Sequence, residues 1–186
     1  MQQLKMQLDN YDMMKPAELP EGYKFVFYSD YEKDMKSWLE ICGPDCGNST
    51  PELFAAAILN WTDCHPENDL FFIEDPEGKR VATATAISHP DGTGYVHMFW
   101  ATPACRGKGL GRALMGKTLE LLKARGSSPV ILTTDDFRLP AIKTYLNNGF
   151  RPVIYGGPED NMEERWAKVL ANLGTDAKMQ AFIGKL

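Results

Sequence analysis

Read along the chain, apolar and polar positions change period several times, and each change marks an element. Residues 23–29 (YKFVFYS) form a strand-length run rich in aromatic and β-branched side chains. The segment 30–43 (DYEKDMKSWLEICG) then places apolar side chains at Met35, Trp38, Leu39 and Cys42, the spacing of one helix face. A GPDCGN loop leads to Ser49-Thr-Pro-Glu52, a capping-box pattern with an early proline that predicts a helix through about Cys64. Three strands follow at 69–75, 80–89 and 95–102. The turns between them, PEGK and PDGTG, are short enough to require antiparallel hairpins. Residues 109–126 read as an amphipathic helix closed by Gly126, and 129–136 as a buried strand. A short helix over 138–149, a strand over 150–156 and a last helix over 161–174 complete the chain. The first twenty or so residues end at Pro16 and Pro20 and read as an irregular arm.

The order β-α-α, then β-β-β-α-β-α-β, predicts an α/β chain of the α+β type, with a mixed, mostly antiparallel central sheet flanked by helices. A doubly wound nucleotide fold would alternate strand and helix throughout. On this reading residues 1–22 are an N-terminal arm, 23–156 the main domain, and 157–186 a helical extension packed on it. Trp166, Val169, Leu170 and Leu173 give the last helix an apolar stripe, which suits either the sheet or a second subunit of a homodimer.

Composition narrows the function. With 186 residues the chain is about one domain long, and its net charge of −5 provides no cationic field for nucleic acid or a membrane surface. Neither is expected as a partner, and any anion site must be local. The N-terminal residues do not read as an export signal, and no apolar run suffices to span a bilayer. The four cysteines then read as reduced thiols, which predicts a cytoplasmic protein. Cys42, Cys46, Cys64 and His65 do not reproduce the paired spacing of zinc ligands, so no metal is expected. Asp135 and Asp136 are expected to cap the helix that follows them.

The local anion site is in ACRGKGLGRAL (104–114). Gly107, Gly109 and Gly111 alternate with Arg106, Lys108 and Arg112 just ahead of a helix. Glycines let a ligand approach bare backbone amides, and a helix N-terminus adds free donors and partial positive charge. The run Gly111-Arg-Ala-Leu-Met-Gly116-Lys117-Thr118 spells G-x-x-x-x-G-K-[ST], but it lies within the helix read over 109–126 rather than in a loop ahead of one, so it is not a P-loop. A dinucleotide fingerprint would need glycine where Arg112 or Leu114 stands. What remains is Arg106-x-x-Gly109-x-Gly111.

That segment, after a strand and opening a helix, resembles the R/Q-x-x-G-x-G/A signature of the GNAT superfamily of acetyl-CoA-dependent N-acetyltransferases. Ala141-x-x-x-Tyr145-x-x-x-Gly149-Phe150 is similar to the superfamily's helix-to-strand segment that carries an acid tyrosine. The resemblance runs from about residue 23 to 155. It implies a sheet splayed near its fourth strand, with acetyl-CoA as co-substrate in the splay. Arg106, Gly107, Lys108, Gly109, Leu110, Gly111 and Arg112 would hold the pyrophosphate. The pantetheine arm would pair along Trp100, Ala101 and Thr102.

By the same resemblance Tyr145 would protonate the leaving thiolate; its alternative role is a packed helix aromatic. His97, nine residues before Arg106, matches a histidine that removes the amine's proton in the arylalkylamine branch, and Tyr95 occupies the offset of that branch's second histidine. The alternative for His97 is a hydrogen-bonded histidine of the sheet. Strict alternation would put Tyr95, His97 and Phe99 on one face of their strand, and Val96, Met98 and Trp100 on the other. The expected reaction is transfer of an acetyl group to a primary amine, on a small molecule or peptide, by direct attack in a ternary complex. The rival is a non-catalytic acyl-CoA sensor. The acceptor is not specified, since the superfamily varies it through segments corresponding to 30–68 and 88–94.

Overall fold

Seven strands share one sheet in the computed structural model, which describes residues 2–46 and 49–174. Along the chain they are β1 (Leu4–Leu8), β2 (Lys24–Phe27), β3 (Leu70–Glu74), β4 (Arg80–Ser88), β5 (Gly94–Ala101), β6 (Val130–Thr134) and β7 (Arg151–Val153). Their order across the sheet is β2-β3-β4-β5-β6-β1-β7. Every neighbouring pair is antiparallel except β5–β6. A parallel pair needs a long crossover, and α4 (Leu110–Ala124) supplies it.

The predicted arm is the main correction. Leu4, Met6 and Leu8 alternate with Lys5 and Gln7 and are buried, and β1 lies inside the sheet between β6 and β7. The chain continues against α4. A Cβ on Gly116 would sit 2.7 Å from the Lys15 carbonyl oxygen, so only glycine admits residues 15–17 this close to the helix. Tyr11 donates to the Ser127 carbonyl, and the Lys15 amide to Asn148 Oδ1. Residues 1–22 are thus no separate arm in the part described.

Helices cover the sheet on two sides. The stripe of α4 joins α5 (Leu139–Asn147) and α6 (Met162–Leu173) over β1, β6 and the middle of the sheet. Trp166 and Val169 enter that core, so α6 packs on this chain's own sheet. On the opposite face α1 (Tyr31–Cys46), α2 (Pro51–Phe54) and the turn after it bury Trp38, Ile41, Phe54 and Ile58 against Leu70, Phe72 and Ile87. Two boundaries differ from expectation. α1 runs through Pro44 to Cys46, and Thr50, not Ser49, caps α2, accepting from the Leu53 amide. α2 passes into a π turn over Ala55–Leu59 rather than reaching Cys64, and a loop leads from it to the short α3 (Pro66–Asp69). No helix among the described residues is long and apolar enough to cross a membrane.

Candidate active site

β5 and β6 pair at Gly94–Val130 and Tyr95–Ile131 and then part. The Tyr95 hydroxyl and Thr133 Oγ1, 3.0 Å apart, form the last bridge before the opening. Beyond it lies a cavity of about 280 Å³, walled by Val96–Trp100 on one strand and Thr133–Asp135 on the other. Trp61, Arg138, Tyr145 and Gln3 complete its lining. The splay inferred at the fourth predicted strand is therefore the gap between β5 and β6.

The wall formed by β5 is not regular. On β4 the step from Thr83 to Thr85 spans two residues, whereas their partners Trp100 and His97 are three apart. The extra residue makes a β-bulge, and Met98 takes the left-handed conformation with φ 47°. This overturns the strict alternation expected past His97. Met98 and Trp100 face the α1–α2 side with Tyr95, while Phe99 turns to the α4 side with Val96. The bulge thereby brings His97 and Met98, adjacent in sequence, to one side of the sheet.

On the α4 side, Phe99 meets Tyr145 edge-on, with ring centroids 5.6 Å apart, and Phe150 flanks the same tyrosine at 6.1 Å. Tyr145 comes from α5, the helix after β6, and is 4% exposed while lining the cavity. Burial pushes its hydroxyl well above the ordinary tyrosine value, so it keeps its proton at any physiological pH.

On the α1–α2 side, His97 is 6% exposed, stacked on Trp61 at 4.1 Å and on Tyr95 at 5.7 Å. Its Nε2 lies 2.7 Å from the Ala57 carbonyl oxygen in the π turn. A carbonyl only accepts, so Nε2 carries the proton and Nδ1 the lone pair. Burial lowers the imidazole to about 4, outweighing the Ala57 hydrogen bond, which acts to raise it. His97 is neutral at pH 7.

The glycine loop lies at the far end of β5. Thr102 donates its amide to the Val81 carbonyl, a 3-10 turn spans Pro103–Cys105, and Arg106 is extended. Gly107 and Gly109 both lie at positive φ, 74° and 76°, which reverses the chain into α4. Cys105 is buried with Sγ 3.2 Å from the Val81 carbonyl and fills the loop's interior. Arg106, Gly107 and Lys108 are exposed. A Cβ on Gly107 or Gly111 would meet nothing within 4 Å. Gly111 is helical, where alanine would be favoured by about 1 kcal/mol. The fold therefore has no use for a glycine at 111, whereas an anion approaching the first amides of α4 does.

Asp135 and Asp136 do not cap α5 with their side chains. Asp136 holds Arg165 of α6. Asp135 accepts from Gln3 Nε2 at 3.0 Å through one oxygen and from Arg138 Nε at 2.8 Å through the other. Burial acts to raise its carboxyl, but those hydrogen bonds prevail and hold it below the usual carboxylate range. Gln3, Trp61 and Arg138 are lining residues that the sequence reading did not select. For Gln3 the alternation of Leu4, Met6 and Leu8 was an available signal.

The Acetyltransferase (GNAT) family model matches residues 32–150. Mycothiol acetyltransferase of Arthrobacter sp. (strain FB24) is 32% identical over 169 residues, 82% of this chain and 51% of its own length. Glucosamine 6-phosphate N-acetyltransferase of Trypanosoma brucei brucei is 29% identical over 129 residues, 64% of this chain and 84% of that protein. The chain spans about half the length of the mycothiol acetyltransferases it matches. A GCN5-related N-acetyltransferase from Sphaerobacter thermophilus superposes with a TM-score of 0.61 at 20% identity, over 81% of this chain and 48% of that one. An acetyltransferase from Streptococcus agalactiae 2603 gives 0.57 at 14% identity, over 75% and 94%. A signature loop, an opened sheet and a family match over residues 32–150 agree: the chain belongs to the GNAT acetyltransferase family.

Proposed function

We propose that this chain transfers an acetyl group from acetyl-CoA to a primary amine by direct attack in a ternary complex, in the cytoplasm. The observation that carries this reading is the gap between β5 and β6, lined by a protonated tyrosine from one face of the sheet and an aromatic-walled neutral histidine from the other. Donor and acceptor can enter such an opening from opposite faces and meet without a covalent enzyme intermediate.

The Arg106–Arg112 loop is suited to the pyrophosphate of the donor, through its exposed amides and its cations. The donor supplies the activated acyl group. Past Tyr95, β5 has no strand partner on the β6 side among the described residues, which leaves the edge at Trp100, Ala101 and Thr102 to take an extended pantetheine arm. Tyr145 donates its proton toward the sulfur as negative charge develops there, and its raised pKa keeps the donor form available. A thiol of pKa about 8.5 is already a fair leaving group, so this donation assists rather than dictates the rate.

His97 stands in the position proposed for the base, yet a group titrating at about 4 is a weak acceptor for an ammonium proton. We assign it to the acceptor wall, where its neutrality avoids repelling an incoming cation. The amine then loses its proton to water before attack. Relatives named for mycothiol and for glucosamine 6-phosphate support a small-molecule acceptor over a peptide.

The deciding experiment is calorimetric titration with acetyl-CoA, with ATP and NAD as controls, followed by thiol release in the presence of a panel of amines. Micromolar binding of acetyl-CoA alone and amine-dependent thiol release are expected. Binding without thiol release from any amine would favour a sensor, and absence of binding would end the reading.

A further inference from the structure

Among the described residues Arg138 is the cavity's one lining cation, and its partners leave half of it unused. Its Nε donates to Asp135 Oδ2 at 2.8 Å, and no acceptor among the described residues takes Nη1 or Nη2. The guanidinium carbon lies 3.9 Å from the centroid of the Trp100 ring and 5.1 Å from that of Phe137, which is 76% exposed. Stacking on an aromatic ring holds a guanidinium flat and directs its remaining hydrogens outward along its edge. Asp135 is meanwhile satisfied on both oxygens, by Gln3 and by Arg138.

The result is a positioned, two-pronged donor at a cavity wall, with its side chain about a quarter exposed. Thr134 Oγ1, buried on the same lining and without a partner among the described residues, adds a further hydroxyl. Asp135 is the charged neighbour that Arg138 offsets; the other described lining residues are aromatic or uncharged and His97 is neutral, so no second cation among them competes for an anion. The two free nitrogens of such a fork match the paired oxygens of a carboxylate or a phosphate.

We infer that Arg138 selects acceptors in which the amine is accompanied by an anionic group, a carboxylate or a phosphate. This rests on the acetyltransferase reading above and concerns only the acceptor half of the cavity. Trp61 and Tyr95 would flank the body of such a molecule while Arg138 holds its charged end.

The test is calorimetry on the full chain saturated with coenzyme A, with ligands in matched pairs: glucosamine 6-phosphate against glucosamine, and methionine against methioninamide. Wild type, Arg138→Gln and Arg138→Lys are compared. In at least one pair the member that carries the anionic group should bind wild type about tenfold or more tightly than the member that lacks it. Arg138→Gln should erase that ratio, Arg138→Lys should restore part of it, and the affinity for coenzyme A should be the same in all three proteins. The pair that carries the ratio tells phosphate from carboxylate. Equal binding within both pairs, no binding by either anionic member, or a loss of coenzyme A affinity in Arg138→Gln would each overturn the inference. The last outcome would mean that the fork serves the donor. Coenzyme A is titrated before any acceptor, so failure of the parent reading appears at that first step and is distinct from failure of this one.

Discussion

The two sides of the β5 opening are built by different means. On the α4 side a local run of glycines and cations makes the proposed anion cradle, and one helix delivers Tyr145. Neither depends on distant parts of the chain beyond the core that holds them. On the opposite side, the wall comes from a π turn, the loop after it, a bulge in β5 and the first strand, none of which has a motif. On the proposed reading the donor half is thus a standard part, and the acceptor half an assembly of irregularities. An enzyme that keeps its donor and changes its acceptor needs this division, because irregular segments can be altered without disturbing the cradle.

Substitutions can break this contrast, beginning with the largest expected effect. Gly111→Asp places a carboxylate where the cradle is open, and acetyl-CoA affinity should fall about a thousandfold. Melting temperature should hold or rise, since an acid in the first turn favours a helix. Calorimetry and thermal unfolding measured together separate the two effects.

His97 provides a test of the opposite side by pH. Its native pKa of about 4 lies below the unfolded value of about 6.5, so between those limits the unfolded chain binds the extra proton. Its contribution to stability is complete above about pH 6.5 and is lost as pH falls toward 4, to the extent of about 3 kcal/mol. Denaturant unfolding at pH 7 and pH 4.5 should show this slope in wild type and a smaller one in His97→Gln, whose amide can still donate to Ala57.

Tyr145→Phe removes only the proton donor and should lower kcat about a hundredfold, with little change in the KM for acetyl-CoA. An equal fall in acetyl-CoA affinity would reassign the residue to packing. Trp61→Ala, the smallest change, should raise the acceptor KM about tenfold and leave donor binding as it was. The same variant should move the His97 titration back toward 6.5, readable by NMR, because 39% exposed Trp61 is the ring that covers it.

The same contrast explains what could be read from the chain before its fold was known. The β3–β4–β5 meander, α4 and the glycine loop announce themselves through short turns, helical spacing and fixed offsets. β1 carries a clear alternation at Leu4, Met6 and Leu8, but its partners lie beyond residue 129, so no nearby turn identifies it as a strand. The bulge hinges on a left-handed Met98, and methionine gives no warning of that conformation. Asp135 and Asp136 satisfy the composition rule for a cap, yet Arg138 three residues on, and the distant Gln3 and Arg165, claim their side chains first. Helix propensity and capping rules describe a segment by itself; these residues are decided by what lies across the sheet.

The central position of β1 has a consequence for how the chain acquires its shape. The strands β2 to β5 can close one upon the next as soon as each is made, since every pairing joins neighbours in sequence. The first strand, by contrast, pairs Leu4 with Thr134 and Met6 with Pro152, and must wait for most of the polypeptide to leave the ribosome before it has anywhere to dock. The half of the sheet that borders the opening on the β6 side is therefore the last to form, and Gln3 arrives at the cavity with it.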